Sequence, residues 1–515
     1  MLYAPGRVWR LRRAVGAALL ICGLTACASG REPRAPAGAL PPRAAIEVDR
    51  TQFHSEARLR AWQEDLDRRG LRDTGSPAHE AYVDTLHQRL REAGVPELYF
   101  EPVTMTRWEA RRWSLELADG TDRIRTAGYI PYSGSTGAQG LVAPMRYLSA
   151  GQHPDRGVAG SIVVVELPKP ALTSDFFHAM ALYKHDPANA LPPGAPYARP
   201  YQVLEVLVQT LDALQAAGAA GVVAVLDEPA DLAAGLYAPY DRELRKLPGV
   251  YVDREAGARL KALAASGARL RLVLDAQAEE VVTRNLIGII PGASSELTVI
   301  NSHTDGTNGI EDNGPNAIVD IAQYLARLPR EALPRSIMIM LSSGHFAGGV
   351  GIQGFLARHR EDGLRGRIAS IVTIEHLGAT EWLPGPDGRL APTGRDEPAA
   401  IFLPRIPALV RAASAMLRNA QAAPAFVMPP LNPDADGGPN SASWPGEGQY
   451  FWGGARLPTL NYITGPDYLL NYGVTTADKV DYGRMRRETA AITQLLLDLS
   501  REPYEALRDE QPPAP

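Results

Sequence analysis

Between Asn285 and Gly465 the chain alternates short, unbroken apolar runs with amphipathic stretches. The runs "NLIGIIPG", "ELTVINSH", "SIMIMLSSG", "IASIVTIEHLG" and "LPTLNYITG" are rich in Ile, Val and Leu. They show little polar alternation, which predicts strands buried on both faces of a largely parallel sheet. Between the second and third runs, "NAIVDIAQYLARL" places Ile318, Ile321, Ala322, Leu325 and Leu328 at helical spacing. Strand and helix alternate, so this half of the chain predicts an α/β domain.

Upstream, residues 55–70 follow a helical pattern. A second helix is predicted after "TGSP", with Ser76 as N-cap, Pro77 at its first position, and Tyr82, Val83, Leu86 and Leu90 on one face. A strand follows near "ELYFEPVTM". Residues 128–282 differ in character. "GSIVVVEL" and "GVVAVLDE" read as buried strands, "LDALQAAGAAG" closes a helix between them, and "LPGVYVDREAGARLKALAASG" adds one more strand and helix. Residues 380–450 are rich in Pro and Gly around one helix near 405–420, as in a lid or rim. No internal repeat is evident.

Composition narrows this little. Hydrophobic residues make up 45% of the 515 and charged residues 22%, enough for a sizeable globular core. The formal net charge is −5, and no basic stripe, zinc-knuckle spacing or RNA-binding motif occurs, so nucleic acid is not an expected partner. The first 26 residues change the picture more. Arg7, Arg10, Arg12 and Arg13 precede "AVGAALLICGL", an apolar run of secretory-signal length that is too short to span a bilayer. Leu24-Thr-Ala-Cys27 then resembles a bacterial lipobox, in which Cys27 would be lipidated. The Pro-, Ala- and Gly-rich residues 28–45 read as a tether. Ala28 follows the cysteine, which favours the outer membrane or periplasm of a bacterial cell envelope, with the body held there by a lipid anchor. Cys22 and Cys27 are the only cysteines, so no disulfide or cysteine metal site is expected in the mature body.

The chemistry gathers at strand ends. His303, His345 and His376 fall at the ends of three predicted strands, accompanied by Asp305 and Asp312 in "HTDGTNGIEDNGPN" and Glu375 in "IEHLG". Strand ends of such sheets converge on one crevice, and imidazole with carboxylate suits a borderline divalent metal. Asp305, two residues beyond His303, is placed to receive that histidine's second N–H. His376 alternates away from Glu375 along the strand and reads as structural. No G-x-S-x-G elbow, HExxH helix or Walker loop occurs.

The order "NLIGIIPG…INSHTDG…EDNGPNAIVDIAQYL…RSIMIMLSSG", with the opening "GLRDTGSPAHEAYVDTLHQRLREAG", resembles the zinc-dependent exopeptidases of the aminopeptidase Y and glutamate carboxypeptidase type. Their relatives include glutaminyl cyclases and the inactive transferrin receptor. The resemblance covers roughly residues 55–500. It implies a three-layer α/β sandwich with a mostly parallel central sheet over 51–127 and 283–508, interrupted by a β-rich protease-associated (PA) domain over 128–282. A signal peptide (1–26) and tether (27–50) precede it. It also implies that His303, the bridging Asp312 and Glu375 hold zinc, with Asp305 behind His303. The family's paired glutamates after the third strand are replaced by His345 and Phe346, and its last histidine ligand by Gly473. Phenylalanine and glycine have no side-chain donor, so one ion or none is expected. His345 is read as a replacement base, with a fourth ligand or a polar filler as alternatives. The resulting expectation is an extracytoplasmic lipoprotein that hydrolyses a peptide or small amide, with a catalytically inactive binding or scaffold lipoprotein as the alternative.

Overall fold

A computed structural model describes residues 46–432, 438 and 440–509. Cys27, the signal peptide and nearly all of the tether lie outside these residues. Among the described residues no helix is long and apolar enough to cross a membrane.

The chain opens with helices α1 (Glu56–Arg69) and α2 (Pro77–Glu92). Ser76 caps α2 by accepting from the His79 N–H at 3.1 Å, with Pro77 at its first position, as the sequence predicts. Strands β1 (Glu97–Leu117), β2 (Leu141–Leu148) and β3 (Ile162–Leu167) follow, then α3 (Leu204–Ala216), β4 (Gly221–Leu226), β5 (Gly249–Val252), α4 (Arg254–Ala264) and the long β6 (Arg269–Ile290). The second half runs β7 (Ser294–His303), α5 (Gly314–Ala326), β8 (Arg335–Ser342), α6 (Val350–Arg358) and β9 (Ile368–Ile374). It ends with β10 (Ala399–Phe402), α7 (Pro407–Ala420), β11 (Ala425–Met428), β12 (Thr459–Thr464) and α8 (Tyr482–Leu499).

The central sheet has the order β6-β8-β7-β9-β12-β10-β11. β7 lies parallel to both β8 and β9, and β12 parallel to β9. Successive side chains of these strands point to opposite faces. Ile337, Ile339 and Leu341 of β8 pack with Ile318 and Ile321 of α5 and Leu495 of α8. Met338 and Met340 pack on the other face with Ile352 and Phe355 of α6. Each such side chain contributes about 1.5–3 kcal/mol on burial. Helices thus cover both faces, and the expected three-layer α/β architecture is present.

Strands β2 to β5 form a smaller parallel run in the order β2-β3-β4-β5. β6 ties it to the central sheet, since its first residues pair with β2 and its last with β8, while β1 runs antiparallel along nearly its whole length. The boundary expected after residue 282 therefore falls inside one continuous strand. The segment 128–282 also reaches the far side of the molecule, where Tyr183–His185 pairs with β11.

Candidate metal centre

Parallel pairing of β7 with β8 and β9 brings His303, His345 and Glu375 to one end of the sheet. His303 is the last residue of β7. β8 ends at Ser342, and Gly344, at φ +91°, turns the chain into a short 3₁₀ helix over His345–Ala347. A side chain at Gly344 would also meet Val350 Cγ1 at 2.4 Å, so the turn requires glycine. β9 ends at Ile374, one residue before Glu375.

Three imidazoles share one arrangement. The Nδ1 of His303 lies 2.7 Å from the Asp305 carbonyl, that of His376 2.7 Å from the Thr464 carbonyl, and that of His345 2.8 Å from the Glu447 carboxylate. Each Nδ1 faces an acceptor, which turns each Nε2 toward the carboxylates of Glu311 and Glu375. The Nε2 atoms of His303 and His376 and the Oε2 atoms of Glu311 and Glu375 are buried and have only one another as partners. They face one another: His376 Nε2 is 3.0 Å from Glu311 Oε2, and His303 Nε2 is 3.7 Å from Glu375 Oε2. The rings of His303 and His345 stack at 4.3 Å.

Imidazoles whose Nδ1 faces an acceptor while Nε2 meets buried carboxylate oxygens are an arrangement that suits a divalent metal. Two triads have mutual donor distances within 4.8 Å: His303, His345 and Glu375, and His303, Glu311 and His376. His303 is common to both triads and has one nitrogen to offer them, so it serves one triad at a time. A zinc ion with three protein ligands keeps a position open for water.

Burial alone would push the His303 imidazole down, but the Glu375 carboxylate beside it, with Glu311 and Asp305, raises it to about 10. Burial would likewise push Glu375 up, and His303, His376 and His345 hold it near 2 instead. Opposite charges therefore hold the centre together. A cation entering it would displace the imidazole proton.

The structure redistributes the expected roles. His303, Glu375 and His345 are brought together. Asp312 is not in the donor set, because both of its oxygens lie on the buried Arg72, at 2.6 Å from Nε and 2.6 Å from Nη2. Its neighbour Glu311 instead lies among the histidines, 3.0 Å from His376 Nε2. The Asp305 carboxylate does not receive the His303 N–H; its backbone carbonyl does. The carboxylate instead accepts the N–H groups of Gly344, His345 and Phe346 at 3.1, 3.2 and 2.8 Å and the Thr74 hydroxyl at 2.6 Å. It caps the short helix that carries His345. Phe346 is buried against Tyr240 and Tyr237 at 5.2 and 5.6 Å, and Gly473 is exposed with open space around it.

Sequence reasoning missed four residues. His376 is directed away from Glu375 by strict strand alternation. Its φ of +57° rotates it out of the strand pattern and back beside Glu375. Glu311 stood beside Asp312 in the same acidic loop, and Arg72 in the "GLRDTGSP" opening. Glu447 lies in "WPGEGQY", where no periodicity marks it. Its N–H and the Asn461 amide hold Glu375 Oε1 at 2.9 and 2.7 Å, and Ser342 Oγ donates to Glu447 Oε1 at 2.7 Å.

No protein-family model and no curated protein matches this chain. Solved structures do. A zinc aminopeptidase from Bacillus subtilis (BSAP) superposes with a TM-score of 0.59 at 13% identity, over 88% of this chain and 96% of its own. An aminopeptidase from Aneurinibacillus sp. strain AM-1 gives 0.55 at 13% identity over 91% and 98%. A peptidase M28 precursor from Shewanella amazonensis gives 0.59 at 15% identity over 90% and 99%. At these identities the likeness is one of fold, and the chain has, over nearly its whole length, the fold of these aminopeptidases.

Proposed function

We propose that the protein is a metal-dependent hydrolase of peptide or small amide bonds that holds one divalent ion, zinc by its donor chemistry, on His303, Glu311 and His376. The observation that carries this is the shared orientation of the imidazoles, each with Nδ1 on an acceptor and Nε2 turned toward buried carboxylate oxygens. An ion bound there would polarise a carbonyl and acidify a bound water. On this assignment His345 remains free to take a proton at Nε2. Glu447, 2.8 Å from its Nδ1, orients the ring and stabilises the imidazolium once formed, as a positioning residue. The fold shared with zinc aminopeptidases supports an exopeptidase-type substrate. The charged start and Cys27 motif support a lipid-anchored protein of the bacterial envelope.

One observation favours the alternative, a lipoprotein that binds without cutting. His303, Glu311, Glu375 and His376 are each no more than 1% exposed, and His345 only 4%. A substrate reaches them only if the surrounding loops part.

The test is metal analysis of dialysed protein combined with hydrolysis of aminoacyl-p-nitroanilides. One zinc per chain, lost in His303→Ala and kept with lost turnover in His345→Ala, supports the hydrolase. One zinc without turnover on any aminoacyl substrate supports the binding protein. No zinc in the wild type refutes the metal reading.

A further inference from the structure

One edge of β6 pairs with β1 along nearly its whole length. The other is covered only toward its ends, by β2 over Arg269–Leu272 and by β8 over Leu286–Ile290. Backbone groups alternate between the two edges of a strand, and on β6 the even-numbered residues face this second edge. The Ala268 carbonyl accepts from the Met145 N–H of β2, whereas that of Arg269 accepts from Ala118, just beyond β1. The Leu274 N–H donates to Thr136 Oγ1 and its carbonyl accepts from the Thr136 N–H; the Ala276 N–H donates to Ser135 Oγ. At the far end the Arg284 carbonyl accepts from Ser343 Oγ at 2.6 Å. Between these, the N–H and C=O groups of Ala278, Glu280 and Val282 point the same way and have no hydrogen-bond partner among the described residues. Ala278, Glu279, Glu280 and Val282 are exposed, Val282 to 65%.

The gap between Ser135 and Ser343 is about 25 Å of open strand edge, the length of a seven-residue extended peptide. β8 runs antiparallel to β6 toward this gap and ends at Ser342. There Gly344 turns the chain out of the sheet, and His345 follows. A strand laid in the gap continues the line of β8 and has one end at the His345 turn. We propose that this open edge of β6 binds an extended peptide by strand addition, so that the substrate class is an unstructured peptide rather than a small amide. This rests on the hydrolase reading above. Glu280 and Val282 project from one face of β6, which favours a basic side chain beside the first and an apolar one beside the second. A second copy of this chain fits the edge less well, because antiparallel pairing about Glu280 would set two like charges opposite each other.

The experiment measures binding by fluorescence anisotropy on the full chain. The probe is a fluorescein-labelled heptapeptide of threonine, with lysine at its second and sixth positions and valine at its fourth. It is blocked at both ends so that it is bound rather than cut. Saturable binding to the wild type is expected. Two further probes carry N-methyl groups on the even or on the odd residues, which blocks one edge of the peptide and keeps its side chains. At least one of them should bind about tenfold more weakly or worse. Glu280→Pro removes an outward N–H without breaking a bond to β1, since proline is tolerated where the N–H faces away from the neighbouring strand. It should also weaken the parent probe by about tenfold. The proposal is overturned if the parent probe does not bind, if both methylated probes bind as tightly as the parent, or if folded Glu280→Pro binds it unchanged. A wild-type dimer made monomeric by Glu280→Pro would place a second copy on the edge and also overturn it. If Glu280→Pro does not fold, the methylated probes decide. Turnover of aminoacyl-p-nitroanilides is measured separately. Its absence with probe binding intact counts against the hydrolase reading and leaves the peptide site standing.

Discussion

Replacing Asp305 tests how the His345 segment is held. In the wild type its carboxylate accepts three successive backbone N–H groups, Gly344 to Phe346, and the Thr74 hydroxyl, all in a buried setting. Asp305→Ala leaves those four donors without a partner. A hydrogen bond to a charged acceptor contributes about 1.5–3 kcal/mol, but the losses do not add in full, because water enters the space and the loop relaxes. A total of about 3–5 kcal/mol is expected for Ala. Asp305→Asn keeps one accepting oxygen and should lose about 2–3 kcal/mol. Against a typical stability of about 5–15 kcal/mol the Ala variant is a severe change. The assay is urea unfolding followed by tryptophan fluorescence, repeated from pH 3 to pH 8. Burial raises the Asp305 carboxyl, and the imidazoles of His79 and His303 with the Thr74 hydroxyl bring it below its ordinary 3.8. With the folded value lowered, its stabilisation is complete above the unfolded value near 4 and disappears as the pH falls through the folded value. Wild type and Asp305→Asn should therefore differ by a constant amount between pH 5 and 8 and converge only below about pH 4. An Asp305→Ala protein within about 1 kcal/mol of wild type would refute the capping role.

Two further outcomes follow from the same packing. Gly446 sits at φ +104°, and a Cβ there would lie 2.9 Å from both Glu375 Oε1 and Asn461 Oδ1. Gly446→Ala should displace Glu375 and cost about 2 kcal/mol or more, read as a lower unfolding temperature; an unchanged unfolding temperature would count against it. Asp467, 3.0 Å from Arg199, is pushed by burial, with Glu397 nearby, up to about 7 despite that arginine. The folded state then holds the proton more tightly than the unfolded one, so stability rises as the pH falls from 7 toward 4. Relative to Asp467→Asn, the wild type should gain about 2 kcal/mol between pH 8 and pH 5.5, and parallel pH profiles would show that Asp467 is ionised throughout.

Much of the fold was legible because its signals are local. Unbroken apolar runs can be satisfied only by burial on both faces, and "SIMIML" and "IASIVTI" became β8 and β9, both completely buried. Ser76-Pro77 began α2 because the cap and the first-turn proline act within a single turn. Residue 282 lies inside β6, which runs unbroken from its pairing with β2 to its pairing with β8.

The sequence by itself determined the class of fold, the strand ends that bear His303, His345 and Glu375, and the absence of donors at Phe346 and Gly473. Each of those follows from residue type and short-range periodicity. Only the tertiary structure decided which carboxylate joins the histidines. Arg72 lies 240 residues from Asp312, yet it holds both of its oxygens, and Glu311 is the acid of that loop that faces His376. Glu447 reaches His345 from a loop without periodicity, and a left-handed backbone turns His376 against the alternation of its strand. Charge pairing and ligand geometry are settled by distance in space, and a buried charge takes whichever partner the packing brings within about 3 Å, however far away that partner is in the chain.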